Sequence, residues 1–265
     1  MTREVWRYLD SGPQPGALSM ATDEAMLEAH LRGETPPSLR VYTWHPRAVS
    51  LGRFQDAQAS VDLDECRRLG ADVVRRPTGG RAILHTEDEV TFSIVVSERR
   101  LGTKGVMDSY RALAMFSVAG LRLLGVDARL VERSAASGTA AARDPACFAV
   151  KARCDLVVGT EKLLGSAQVH RDGAILQQNS LPLRIPLEDW GRLFRRKPVA
   201  PAALGLRDAA GAEVSYQQVA GALKAGVEEV FGVQLVAGEL SDEEIAHAAA
   251  LAPAATLAMA RVHGI

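Results

Sequence analysis

Between Leu39 and Val96 the chain carries five short runs rich in β-branched and aromatic residues, interrupted by a single helical stretch near Leu63 to Leu69. The runs are Leu39 to Trp44, Ala48 to Phe54, Ala71 to Arg75, Ala82 to His85 and Val90 to Val96, each bounded by turn residues. Three more follow at Cys154 to Val158, Lys162 to His170 and Ala174 to Pro182, with turns at Gly159-Thr160 and Asp172-Gly173. The second of these turns is a strong hairpin signal. The strands form meanders broken by helices, without regular βαβα alternation. That order argues for an α+β fold around a mixed, largely antiparallel sheet, and against a doubly wound one.

Helical spacing of Met20, Leu27 and Leu31 predicts a helix over Ser19 to Leu31, stopped by Gly33, Pro36 and Pro37. Asp23 and Glu24 fall in its first turns, where they complement the positive helix end. A longer helix is expected over Ser109 to Leu124, and further helices at Leu187 to Arg195, Ser215 to Phe231 and Ser241 to Leu251, with a short strand at Val233 to Val236. Ser134 to Asp144 reads SAASGTAAARD and predicts a mobile loop. No repeat and no linker divides the chain, so one domain over residues 1–265, with its core at about 30–245, is expected.

Composition narrows the classes. With 31 basic and 32 acidic residues, the net charge of −1 supplies no global field for nucleic acid or an anionic membrane. No run approaches the roughly 18 apolar residues of a membrane helix, and Met1 to Pro15 lacks the apolar stretch of a signal peptide. Three cysteines without CxxC spacing argue against a zinc site or a disulfide framework, and a cytoplasmic location is expected.

Three segments carry chemistry. The first is RRPTGGRAILH, Arg75 to His85, a strand, a turn and a strand. Adjacent glycines let backbone amides approach a ligand, and amides beside arginines can cradle an oxygen. Taken alone it is a hairpin with glycines, and solvated arginines flanking an ordinary turn is the plainer reading. The second is KLLGSAQ, Lys162 to Gln168, where small residues in a strand mark close approach of another chain. By composition alone Lys162 is an exposed strand-edge lysine. The third is Cys147, directly after the loop and placed like a nucleophile that meets an incoming substrate. Cys66 lies in a charged helix, and Cys154 fits a small buried hydrophobe at the head of a strand.

Together these segments resemble the lipoate–biotin ligase superfamily. RRPTGGRAILH is similar to its Arg-Arg-x-x-Gly-Gly-x-Ala-x-x-His signature, KLLGSAQ to its Lys-x-x-Gly-Ser/Asn-Ala segment, and Ser19 to Ala25 to its amino-terminal helix motif. The resemblance runs from about Tyr8 to Leu235. It implies the biotin/lipoate ligase fold, which is class II aminoacyl-tRNA synthetase-like. Within the superfamily, Arg81 stands where ATP-dependent ligases carry a third glycine, and Ala146-Cys147-Phe148 precedes the lysine segment; both features resemble the octanoyltransferase branch.

What the resemblance implies is octanoyl transfer from octanoyl-acyl carrier protein to a lysine of a lipoyl domain, such as the glycine cleavage system H protein. Catalysis would run through a Cys147 thioester assisted by Lys162, with Arg76, Gly79, Gly80, Arg81, His85, Gly165, Ser166 and Ala167 binding substrate. It implies no cofactor, no metal and a monomer. A structural, hydrogen-bonded role for His85 stays open. Arg192, Arg195, Arg196 and Lys197 are a candidate docking patch for an acidic carrier, with a solvated basic face as the plainer reading. The chain also shows no sign of the extra carboxyl-terminal domain of two-domain ligases. An ATP-dependent lipoate ligase and a lipoyl-domain amidotransferase are the alternatives.

Overall fold

The structure, a computed structural model, describes residues 3–131, 155–195 and 203–257. In its amino-terminal part, strand β1 (Val5–Gln14) leads into helix α1 (Gly16–Leu31) and strands β2 (Ser38–Trp44) and β3 (Ala48–Leu51). Two short helices, α2 (Ala57–Ser60) and α3 (Leu63–Arg68), precede β4 (Asp72–Arg75), β5 (Ile83–His85) and β6 (Glu89–Ser97). Then come α4 (Glu98–Leu101), α5 (Val106–Leu123) and β7 (Arg129–Leu130). The described chain resumes with β8 (Leu156–Val158), β9 (Glu161–Arg171), β10 (Ala174–Pro182) and α6 (Leu187–Leu193). It ends with α7 (Leu206–Ala210), α8 (Tyr216–Phe231), β11 (Gln234–Ala237) and α9 (Asp242–Ala255).

Among the described residues, eight strands form one sheet in the order β11-β1-β2-β6-β10-β9-β8-β7. β1 runs parallel to both β11 and β2, and every other neighbouring pair is antiparallel. The sheet is therefore mixed and largely antiparallel, as the strand order predicts. On one face, Phe116 and Leu121 of α5 and Val219 and Leu223 of α8 join Phe92 and Ile94 of β6 in the main core. On the other, Met26 and Leu27 of α1 pack on Val95 and Leu176. β10 keeps its predicted bounds, and Asp172 (φ 48°) and Gly173 (φ 86°) make the tight turn from β9.

A second sheet has the order β4-β3-β5, with β3 parallel to β4 and antiparallel to β5. Arg75 to His85 is thus not a hairpin. The connection from β4 to β5 arches over the end of β3, which occupies the place a hairpin partner would take. Gly52 makes this possible: a Cβ there would lie 2.0 Å from the Gly80 carbonyl oxygen. The two turns are further joined by Arg53 N–H donating to Thr78 O at 2.9 Å.

Other expectations are corrected. α1 begins at Gly16, so Asp23 lies mid-helix; it is fully buried against the sheet and does not serve the helix end. β1 is a ten-residue strand that the Asp-Ser-Gly-Pro run at Asp10 to Pro13 conceals, with a bulge between Asp10 and Gly12. α9 continues through Pro253 to Ala255.

Candidate active site

Arg76 organises the glycine turn from inside. It is buried, and its Nη1 donates to Ser50 O at 2.8 Å and Ser50 Oγ at 2.7 Å. Its Nη2 donates to Gly79 O and Arg81 O, both at 2.9 Å. A planar fork of donors suits four acceptors around one bend. The loop is held from the other side as well. Thr78 Oγ1 donates to Gln178 Oε1 at 2.8 Å, and Gln178 Nε2 donates to Asp23 at 2.7 Å.

His85 belongs to the same network. Its Nε2 lies 2.6 Å from Ser50 Oγ and its Nδ1 lies 2.8 Å from Glu89 Oε1. Nδ1–H donates to the Glu89 carboxylate, and Nε2 shares a hydrogen bond with Ser50 Oγ, which also accepts from Arg76. The ring stacks on Trp44 with centroids 3.9 Å apart, and Trp44 Nε1 donates to Thr91 Oγ1 at 2.7 Å. Both imidazole nitrogens are therefore occupied within the protein, and His85 offers a substrate its ring and no free nitrogen.

Between the two sheets lies a narrow cavity with about 380 Å³ of empty space, counted to its open mouth. Arg76, Gly80 and His85 border it from one motif, and Gly165, Ser166 and Ala167 from the other. Gly80 faces Ala167 across it, a Cβ on Gly80 reaching to 3.8 Å of the Ala167 Cβ. Met20, Tyr42, Trp44, Ile83, Thr91 and the strand residues Gln178 to Ser180 complete the lining. Burial together with Asp23 keeps Tyr42 a neutral phenol, its hydroxyl pushed well above the usual range. Gly79 and Arg81 reach the site through their carbonyls on Arg76 and are not part of the lining.

Lys162 stands apart from the cavity, three residues before Gly165 on β9 or about 10 Å along a strand. It is not an exposed edge lysine. Its side chain is 1% exposed and pairs with Asp155, Nζ to Oδ2, at 2.7 Å. The pairing explains the burial, because an ammonium is held in a low-dielectric interior only with a hydrogen-bonded counter-charge.

Sequence reasoning missed Asp155 and the polar wall of β10. Gln177-Gln178-Asn179-Ser180 is buried throughout, and four polar residues in a row without alternation inside a hydrophobic strand were the available signal.

Cys147 and Cys154 lie outside the described residues, as do the loop at Ser134 to Asp144, Arg196 and Lys197. Arg192 and Arg195 are exposed beside α6. Cys66 is buried, and desolvation, aided by Asp62, pushes its thiol up to about 11. At pH 8 only about one thousandth of it is thiolate. Iodoacetamide at that pH is therefore expected to leave Cys66 unmodified in the native protein, as read by peptide mass mapping. Labelling as fast as in unfolded chain would contradict this burial.

Among the described residues no cluster of His, Cys, Asp or Glu is placed to hold a metal ion, and no helix is long and apolar enough to cross a membrane. Residues 15–228 match the model of the lipoyl protein ligase A/B catalytic domain. The chain belongs to that family. It is 42% identical over 254 residues to octanoyltransferase LipM of Kyrpidia tusciae, covering 91% of this chain and 92% of that protein. The crystal structure of a lipoate-protein ligase A bound with ATP aligns with a TM-score of 0.77 at 26% identity, over 96% of this chain and 95% of the other. A bipartite lipoate protein ligase from Thermoplasma acidophilum, described with its E2 lipoyl domain, aligns at 0.75 and 25% identity, over 94% and 92%.

Proposed function

We propose that this protein is an octanoyltransferase of protein lipoylation, moving an octanoyl group from octanoyl-acyl carrier protein to a lysine of a lipoyl domain through a thioester on Cys147. The observation that carries the reading is the convergence of two distant motifs on one cavity, Arg76, Gly80 and His85 from one and Gly165, Ser166 and Ala167 from the other. The similarity to octanoyltransferases over nine-tenths of the chain supports the transferase over the ligase. The glycine cleavage system H protein is the proposed acceptor.

In the first step the Cys147 thiolate attacks the donor carbonyl. A carbon–sulfur bond to the enzyme forms, the donor bond breaks, and the carrier leaves as a thiolate that takes up, through solvent, the proton the Cys147 thiol gave up on ionising. Amides of the glycine turn and of the β9 backbone stabilise the oxyanion, and one such donor is typically worth about 3 kcal/mol. In the second step the neutral acceptor amine attacks the thioester. The Lys162 ammonium gives a proton to the departing Cys147 sulfur and takes one from the new amide nitrogen, ending as it began. Asp155 holds that ammonium in place.

The test is intact-protein mass after mixing the enzyme with octanoyl-acyl carrier protein, without ATP. The expected result is a gain of one octanoyl group that hydroxylamine removes and that Cys147→Ala does not acquire, followed by transfer to the H protein. A neighbour that binds ATP keeps the ligase reading in view. If no adduct forms and modification requires ATP and free acid, the ligase takes its place.

A further inference from the structure

A single rung crosses four strands along the cavity wall. Gly165 on β9 pairs with Ser180 on β10, Ser180 with Thr91 on β6, and Thr91 with Tyr42 on β2. Directly paired residues of antiparallel neighbours project to the same face, and all four border the cavity. The side chains grow along the rung from a hydrogen to a phenol ring. The wall is lowest at Gly165 and highest at Tyr42, and both ends are buried.

The chemistry of the rung has a direction. Ser180 is buried, and its hydroxyl has no hydrogen-bond partner among the described residues. A buried hydroxyl in that state gains from a carbonyl oxygen arriving in the cavity. The other end is apolar and rigid. Tyr42 donates to Asp23 at 3.2 Å under the Arg40 guanidinium, and Trp44 is held between Thr91 and His85. Met20 of α1 packs with Tyr42 and Trp44, and its sulfur accepts from Gln178 Nε2 at 3.5 Å. It therefore roofs the stretch between β10 and β2. The cavity is narrow, so an acyl chain entering it presses on the side chains that line it. Methionine, unbranched with three rotatable bonds, is the side chain able to give way.

The lengths agree. Neighbouring strands lie about 4.8 Å apart, so Ser180 to Tyr42 is about 10 Å. Eight carbons in a staggered chain of about 1.5 Å bonds span about 9 Å from carbonyl carbon to methyl. We propose that this rung is the acyl slot and its length gauge. Ser180 receives the carbonyl oxygen, the methyl end stops at Tyr42, and Met20 is the specificity-determining roof. The inference rests on the acyl-transfer reading and deepens it.

The test compares hexanoyl-, octanoyl- and decanoyl-acyl carrier protein as donors to a lipoyl-domain acceptor, with kcat/KM measured for the wild type, Met20→Ala, Met20→Phe and Ser180→Ala. A buried methylene is worth about fourfold, so two of them give about tenfold or more. Met20→Ala is expected to raise the decanoyl-to-octanoyl ratio by that factor, and Met20→Phe the hexanoyl-to-octanoyl ratio. Ratios within one variant cancel any loss of folded enzyme. Ser180→Ala is expected to lower kcat/KM about tenfold for all three donors alike, the usual worth of one neutral hydrogen bond. Unmoved ratios in both Met20 variants, with an active wild type, overturn the gauge alone. An unchanged Ser180→Ala overturns the carbonyl placement. A wild type that transfers no chain overturns the acyl-transfer reading and the gauge with it.

Discussion

Replacing Asp23 with alanine is expected to lower the stability of the folded chain by about 3–5 kcal/mol, seen as a reduced urea midpoint. The carboxylate is fully buried and accepts from three strands, β2, β6 and β10. Its Oδ1 accepts from Arg40 Nη1 at 2.8 Å and Ser93 Oγ at 2.7 Å, and its Oδ2 from Gln178 Nε2 at 2.7 Å and Tyr42 Oη at 3.2 Å. The substitution leaves the Arg40 guanidinium, itself 1% exposed, without its carboxylate. Stranding a buried charge is the main cost, so the double variant Asp23→Leu/Arg40→Met is expected to recover most of the loss. Activity falls further than stability alone explains, because Gln178 also holds Thr78 of the glycine turn. A loss below about 1 kcal/mol is the value for a solvated surface pair and would sink this account.

Lys162→Met is expected to lower the rate of transfer by about 10² to 10⁴, the usual worth of a positioned proton-transfer group. It also removes the counter-charge of Asp155, whose side chain is 5% exposed, and so destabilises the fold by about 3–5 kcal/mol. The two effects separate in Lys162→Met/Asp155→Asn. Neutralising both partners restores much of the stability, as measured in urea, and none of the rate, as measured in single-turnover transfer from the acylated enzyme. If the double variant regains activity with its stability, Lys162 is structural and the proton relay is wrong.

The parts of the fold that were legible in the sequence are those encoded locally. Turn residues on both sides place β10 at its observed bounds, and Asp172-Gly173 makes the turn it predicts because a tight hairpin needs two residues at positive φ. The glycine turn and the Gly165 to Ala167 strand were both identifiable as sites of close approach, and they line one cavity. β1 was not legible. Its Asp, Ser, Gly and Pro residues break the apolar pattern of a strand, and it is a strand because β2 and the distant β11 pair with it on both sides. Local periodicity carries no information about such partners.

The same distinction runs through the site. The sequence by itself determined which residue types were at hand: two arginines before a Pro-Thr-Gly-Gly turn, a lysine opening a strand of small residues, and a mixed order of strands and helices. Only the tertiary structure decided what each does. Arg76 turns inward because Ser50, Gly79 and Arg81 present acceptors around its fork. Lys162 is buried because Asp155 meets it. Asp23 leaves the role of a helix-end charge because Arg40, on a strand, supplies a stronger partner in a dry interior. β3 slips between β4 and β5, so that an apparent hairpin becomes an arch over a cavity. In each case the deciding interaction is a tertiary contact in a buried, low-dielectric setting. There the worth of a charge or hydrogen bond depends on which group stands opposite, and the local sequence pattern does not name that group.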